Sequence, residues 1–140
     1  MRAGLLPLAL AEVEARACAA YPHEACGVLL GRAGDPARIL EAHACANAVT
    51  ERARDRYLID PLDQLRIEKD ARARSLDVVG YYHSHPDHPA QASATDLEQS
   101  WERLLYLIVS VRAGRVEERR AWFRAPGRSS FEEVLLDREV

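Results

Sequence analysis

The sequence predicts a mixed α/β domain in which helices flank a sheet, and three observations predict it. Hydrophobic residues change from helical to strand spacing and back along the chain. Short apolar runs are punctuated by Gly, Pro and Asp clusters. The length of 140 residues, 48% of them hydrophobic, suits one domain, residues 1–140, around one core. The expected order is helix, three strands, helix, strand, helix, then two or three strands.

Leu6, Leu10, Val13, Ala17 and Ala20 recur at helical spacing, with Glu12, Glu14 and Arg16 between them, so a first helix is expected to end near Tyr21-Pro22. Residues 25–31 (ACGVLLG) read as a buried strand, and Gly34-Asp35-Pro36 as a turn. Residues 38–49 read as a second strand. Residues 56–60 (RYLID) read as a third, stopped by Pro61, which suits the first turn of a helix continuing to about Ser75. Residues 77–82 (DVVGYY) form the next strand, and 83–92 a loop with two prolines. A helix is expected over 93–101. Residues 104–111 and 116–124 flank Ala113-Gly114 as a hairpin, and 131–136 are a last strand or a docked tail.

Composition excludes several classes. The net charge is −3 and no basic stripe is present, which argues against nucleic-acid binding. Cys18, Cys26 and Cys45 form neither a disulfide framework nor a CxxC zinc pair, and they fit a reducing cytoplasm. The apolar start is followed at once by Glu12, Glu14 and Arg16, unlike a signal-peptide cleavage region. No apolar run approaches the ~20 residues of a membrane span.

The chemistry concentrates in His83-Ser84-His85-Pro86 and Ser93-Ala94-Thr95-Asp96. Residues i and i+2 of an extended chain share a face, so His83 and His85 aim two imidazoles at one point. Asp96, on the first turn of the next helix, can fold back over that point to complete a His₂Asp set. Three protein ligands leave a tetrahedral zinc ion one open position, the mark of a catalytic site. A carboxylate is then needed to move the proton of the attacking water, and Glu24 is the candidate if the fold brings it there.

His83-x-His85, seven intervening residues, Ser93, two residues and Asp96 reproduce the motif H-x-H-x7-S-x2-D. In this the chain resembles the JAMM (MPN+, Mov34/PAD-1) zinc metalloproteases. Tyr21-Pro22-His23-Glu24-Ala25-Cys26-Gly27 is similar to the family's first-strand segment, with its glutamate before a C-G-apolar run. Tyr57-Leu58-Ile59-Asp60-Pro61 resembles its strand-to-helix junction. The similarity covers nearly the whole chain. The resemblance implies a cytidine-deaminase-like sandwich, Zn²⁺ on His83, His85 and Asp96, Ser93 at the oxyanion, and Glu24 as general base. It also implies hydrolysis of an amide bond after the C-terminal Gly-Gly of a ubiquitin-like protein. Small stand-alone bacterial members process ubiquitin-like sulfur carriers, for example releasing cysteine, and that is the expected partner, with a homodimer left open. The alternative from another class is a non-catalytic MPN scaffold. Many members have proline before the motif serine. Ala92 stands there in this chain, which touches loop stiffness rather than ligand chemistry.

Each residue has a plainer reading. A His-x-His pair alone is weak evidence of metal. Ser93 could simply cap a helix, with Thr95-x-x-Glu98 as a competing cap. Asp96 could be an acid favoured by the helix dipole, and Glu24 a surface acid. The joint spacing favours the site. His88 completes an H-x-H-x-D-H string like that of metallo-β-lactamases, but no histidine follows it, so it is read as an exposed loop residue. His23-Glu24 is not HExxH, because Gly27 stands where the second histidine belongs. The H-x-E and P-C-x-x-C signature of the zinc deaminases is missing. Cys26 is read as a buried strand residue, and Trp101, Trp122 and Phe123 as packing.

Overall fold

The computed structural model describes residues 1–49, 51–53 and 56–138. The chain opens with β1 (Arg2–Leu5), which the sequence reading missed. Four residues are too few to show a period, and Leu5 and Leu6 run straight into a helix. That helix, α1 (Pro7–Ala20), starts with proline at its first position and ends before Pro22, whose ring disfavours helical backbone at Tyr21. Its buried stripe is Ala9, Leu10, Val13 and Ala17. The strands β2 (Cys26–Arg32) and β3 (Ala37–Cys45) follow, the second ending earlier than expected.

The expected strand over residues 56–60 reduces to one bridge between Ile59 and Asn47. Asp60 turns out of the extended segment to cap α2 (Pro61–Ala73), accepting from the Leu62 N–H at 3.1 Å. Next come β4 (Asp77–Pro86), α3 (Ala94–Glu98), β5 (Leu105–Arg112), β6 (Arg115–Phe123) and β7 (Glu132–Arg138). The strand β4 runs on through both histidines, so the expected loop starts later. The helix α3 is five residues long and stops well before Trp101. Ala113 and Gly114, both at positive φ (50° and 79°), make the tight β5–β6 turn.

The strands bond in the order β1-β3-β2-β4-β5-β6-β7, and β7 returns to pair with β1, closing the sheet. Neighbours are antiparallel except β1–β3, β1–β7 and β4–β5. Alternation gives the sheet two apolar faces. One buries Leu29, Tyr82, Leu107 and Val109 against α1. The other buries Val28, Tyr81 and Ile108 with Ile67 and Ala71 of α2. The architecture is therefore mixed α/β with helices flanking a sheet. At Gly27 a side chain would collide with the Tyr82 ring and the His43 carbonyl, so only glycine lets β2 lie this close beside them. Among the described residues, no helix is long and apolar enough to cross a membrane.

Candidate metal centre

His83 sits in β4 between Cys26 of β2 and Ile108 of β5, and His85 faces Ser110 of β5. Cross-strand partners share a face, so both rings lie on the α2 side of the sheet. Both are buried, and their Nε2 atoms are 3.2 Å apart. Ser84, between them, points the other way. Its Oγ accepts from the Ala25 N–H at 2.7 Å, and its N–H donates to the Ala25 carbonyl at 3.0 Å. That pair of bonds ties the residue after Glu24 to the strand that carries the imidazoles.

Asp96 arrives on the first turn of α3 through a capping box. The Ser93 Oγ accepts from the Asp96 N–H (3.0 Å), and Asp96 Oδ2 accepts from the Ser93 N–H (2.8 Å). Ser93 is thus the cap, and the competing start at Thr95 is not used. This places Asp96 Oδ1 3.1 Å from His83 Nε2 and Oδ2 3.2 Å from His85 Nε2. Glu24, the candidate base, is buried, which sets aside its plainer reading as a surface acid. Its carboxylate lies within 4.8 Å of a ring nitrogen of each histidine. The structure thus brings Glu24, His83, His85, Ser93 and Asp96 to one place.

Hydrogen bonds and burial orient the three side chains at the centre. His85 Nδ1 lies 2.7 Å from the Pro89 carbonyl and must donate to it, so Nε2 is the ring nitrogen turned to His83 and Asp96. Burial holds the His83 imidazole below its ordinary pKa despite the pull of Asp96. Burial pushes the Asp96 carboxyl up, but hydrogen bonds from His83 and His85 outweigh this and keep it well below the usual carboxylate range. Two imidazoles and a carboxylate are the donor set of an open zinc site. Donors at roughly 2.0–2.1 Å around a tetrahedral ion lie about 3.3 Å apart. The 3.2 Å between the two Nε2 atoms fits that spacing, and each has an Asp96 oxygen beside it, Oδ1 at 3.1 Å from His83 and Oδ2 at 3.2 Å from His85.

Four contributors escaped the sequence reading. Tyr57 stacks on His83 (centroids 4.4 Å, 21° between planes). Burial, with Asp96 near, pushes its phenol well above the usual value. His88 is half-buried rather than exposed, because its ring stacks on His85 (4.2 Å, 20°) and Nδ1 lies 2.8 Å from the Pro86 carbonyl. Ser84 registers Glu24, as described. Asn47 joins the Glu24 carbonyl to residues 49, 56 and 58. The YLIDP similarity marked the Tyr57 segment but gave no contact, and nothing local marked Asn47. Cys26 stays a thiol, pushed up to about 12 first by burial, with Sγ 3.8 Å from the Cys45 and Ala46 carbonyls. Over the centre lies a cavity of about 410 Å³, with Glu24, Ser93, Asp96, Arg52 and Arg56 in its wall.

Comparison with known proteins gives a consistent picture. The family described as prokaryotic homologs of the JAB domain matches residues 8–125. A desampylase of Haloferax volcanii is 40% identical over 64% of this chain and 63% of its own length. A desampylase of Pyrococcus furiosus is 31% identical over 71% of this chain and 65% of its own length. A probable TtuB-protein conjugate cleaving protease of Thermus thermophilus is 38% identical over 37% of this chain and 35% of its own length. The matches thus span less than two thirds of each of these relatives. Among solved structures, a protein of Desulfitobacterium hafniense superposes with a TM-score of 0.80 at 30% identity, covering 99% of this chain and 94% of that one. A protein of Salinibacter ruber gives 0.70 at 41% identity, covering 99% and 92%.

Proposed function

The chain belongs to the prokaryotic homologs of the JAB domain, and from that premise we propose that it is a zinc-dependent peptidase cleaving the amide bond after the C-terminal Gly-Gly of a ubiquitin-like carrier protein. The observation that carries this reading is the convergence of two buried imidazoles and the Asp96 carboxylate, with a second carboxylate, Glu24, beside them. Residues 1–140 are read as one such domain with the layering of the cytidine-deaminase-like sandwich, acting in the cytoplasm.

His83, His85 and Asp96 would hold the ion. Zinc bound there supplies Lewis acidity, which makes a water nucleophilic near neutral pH and polarises a carbonyl. Glu24 takes the proton of the attacking water and delivers it to the leaving amine, so that one C–N bond breaks and one C–O bond forms. The Ser93 Oγ accepts from the Asp96 N–H, which leaves its own hydrogen to donate to the carbonyl oxygen as negative charge grows there. The Pro89 carbonyl fixes the tautomer of His85.

The named activities of the relatives, desampylase and conjugate cleaving protease, support a ubiquitin-like substrate. Within that class a sulfur carrier losing a C-terminal residue such as cysteine is the preferred substrate. Because β1 pairs with β7, the closed sheet offers no terminal strand for an extended tail. The segment 56–60 beside the cavity serves instead. Leu58 and Asp60 bond toward residues 46–48, so alternation turns the backbone groups of Tyr57 and Ile59 the other way.

Zinc analysis and peptidase assay of the native protein, Glu24→Ala and Asp96→Ala test the assignment. Glu24→Ala is expected to keep zinc and lose about 10²–10⁴-fold in turnover, the range for a general base. Asp96→Ala is expected to lose both. Loss of zinc from Glu24→Ala instead would make Glu24 a ligand. Equal behaviour of all three proteins toward Gly-Gly substrates would leave a binding scaffold in place of an enzyme.

A further inference from the structure

The cavity over the centre contains an unexplained cation. Glu24 and Asp96 give its wall two carboxylates, and Arg52 and Arg56 supply guanidinium groups. Several other arginines of this fold are held by carboxylates. Arg66 pairs with Asp63, Arg74 with Glu41 and Asp70, Arg112 with Glu117, Arg119 with Glu14 and Arg120 with Glu133. The side chain of Arg56 makes no such pair among the described residues. Its backbone is nevertheless fixed. The Arg56 carbonyl accepts from Asn47 Nδ2 at 3.2 Å, and the same amide nitrogen donates to the Glu24 carbonyl at 3.3 Å. One side chain thus sets the distance from the anchor of the guanidinium to the anchor of the proposed base.

We propose that Arg56, with Arg52 on the same wall, forms a carboxylate-binding subsite that selects substrates whose leaving group is a single amino acid with a free C-terminal carboxylate. This deepens the reading above and rests on it. The chemistry follows from bond counting. In a terminal amino acid the carboxylate stands two bonds from the scissile nitrogen, so it enters the cavity with the amide. In an isopeptide the scissile nitrogen ends a four-methylene lysine stem, and no carboxylate lies near it. A free carboxylate brought beside Glu24 and Asp96 is repelled unless a cation faces it. The planar guanidinium fork matches a carboxylate with two parallel N–H···O bonds. A cavity of about 410 Å³ also has the scale of a small ligand rather than of a protein surface.

The test measures binding and cleavage side by side. Glu24→Gln protein loaded with zinc is titrated with an uncleaved peptide ending in Gly-Gly-Ala, as free acid and as C-terminal amide. Wild type is assayed on both peptides and on a Gly-Gly–Nε-lysine isopeptide. The free acid is expected to bind at least about tenfold more tightly than the amide, the scale of one charge-assisted hydrogen bond. Adding Arg56→Ala to that protein should erase the difference in binding, and Arg56→Ala in the otherwise native protein should raise KM for the acid. Equal binding of acid and amide, or a preference that survives Arg56→Ala combined with Arg52→Ala, overturns the subsite. If the isopeptide is then still cleaved, the hydrolase reading stands without it. If wild type cleaves none of the three, both fall together.

Discussion

A carboxamide can make four hydrogen bonds, and Asn47 makes all four. Its Nδ2 donates to the carbonyls of Glu24 and Arg56, and its Oδ1 accepts from the N–H groups of Val49 and Leu58. Every one of these partners belongs to the wall of the cavity. Asn47→Leu, close in size, is expected to strand several backbone groups and to cost about 1–3 kcal/mol in urea unfolding. It should also lower turnover without lowering zinc content, since Asn47 touches none of the three proposed ligands. An unchanged unfolding midpoint would remove Asn47 as the organiser of this loop. At this scale the sequence was informative where chemistry is local. The spacing of His83 and His85 carries its own geometry, because i and i+2 share a strand face whatever the rest of the chain does. Asn47, Tyr57 and His88 were opaque because their roles are contacts. Nothing in a residue's neighbours says that a tyrosine 26 positions upstream will lie flat on His83.

Among the elements, α3 is the most exposed to a single change. It has five residues and buries no side chain, so its capping box carries much of its definition. Ser93→Ala removes the cap, worth about 1 kcal/mol, and should loosen Asp96 enough to weaken zinc binding as well as turnover. Ser93→Asp separates the two roles of this serine. It restores a capping oxygen without a hydroxyl hydrogen, so zinc affinity, read by competition with a chromogenic chelator, should recover while turnover stays low. Near-native turnover in Ser93→Asp would dismiss the oxyanion role. The elements read closely were α1, α2, β2, β5 and β6, while β4 was read only as far as Tyr82 of a strand that ends at Pro86. The errors came where a short segment obeys a neighbour. β1 is only four residues, and its partners are residues 37–39 and 135–138. Residues 56–60 have strand-like composition, but Asp60 is taken as a helix cap and Asn47 supplies the bond a neighbouring strand would have made.

For the molecule as a whole, both flanking helices are tied to the sheet by charge as well as by apolar burial. Glu14 of α1 pairs with Arg119 of β6 at 2.7 Å, and α2 is held from its C-terminal end. Arg74, at the end of α2, places its two terminal nitrogens 2.7 and 2.8 Å from Glu41 of β3. The Arg74 bonds, helped by His43, hold the Glu41 carboxyl down to about 2 from its ordinary 4.5, against a smaller opposing effect of burial. A carboxylate depressed in the folded state contributes stability that is complete above its unfolded pKa and is lost as pH falls through the folded value. Thermal stability should therefore decline between about pH 4.5 and about pH 2 partly through this group, and Glu41→Gln should flatten that limb of a Tm-against-pH curve. The groups are partly exposed, so the effect is modest and shrinks with added salt. Superimposable acid limbs for the two proteins would show that the pair contributes nothing.

Ser84 carries a final implication for how this chain can fail. On one strand, odd positions hold the imidazoles and the even position between them clasps the backbone next to Glu24. A slip of β4 by a single residue would turn Ser84 and Tyr82 into the cleft and bury both rings against α1. A mispaired strand would thus part the paired imidazoles from the cleft and release the clasp beside Glu24 in the same step.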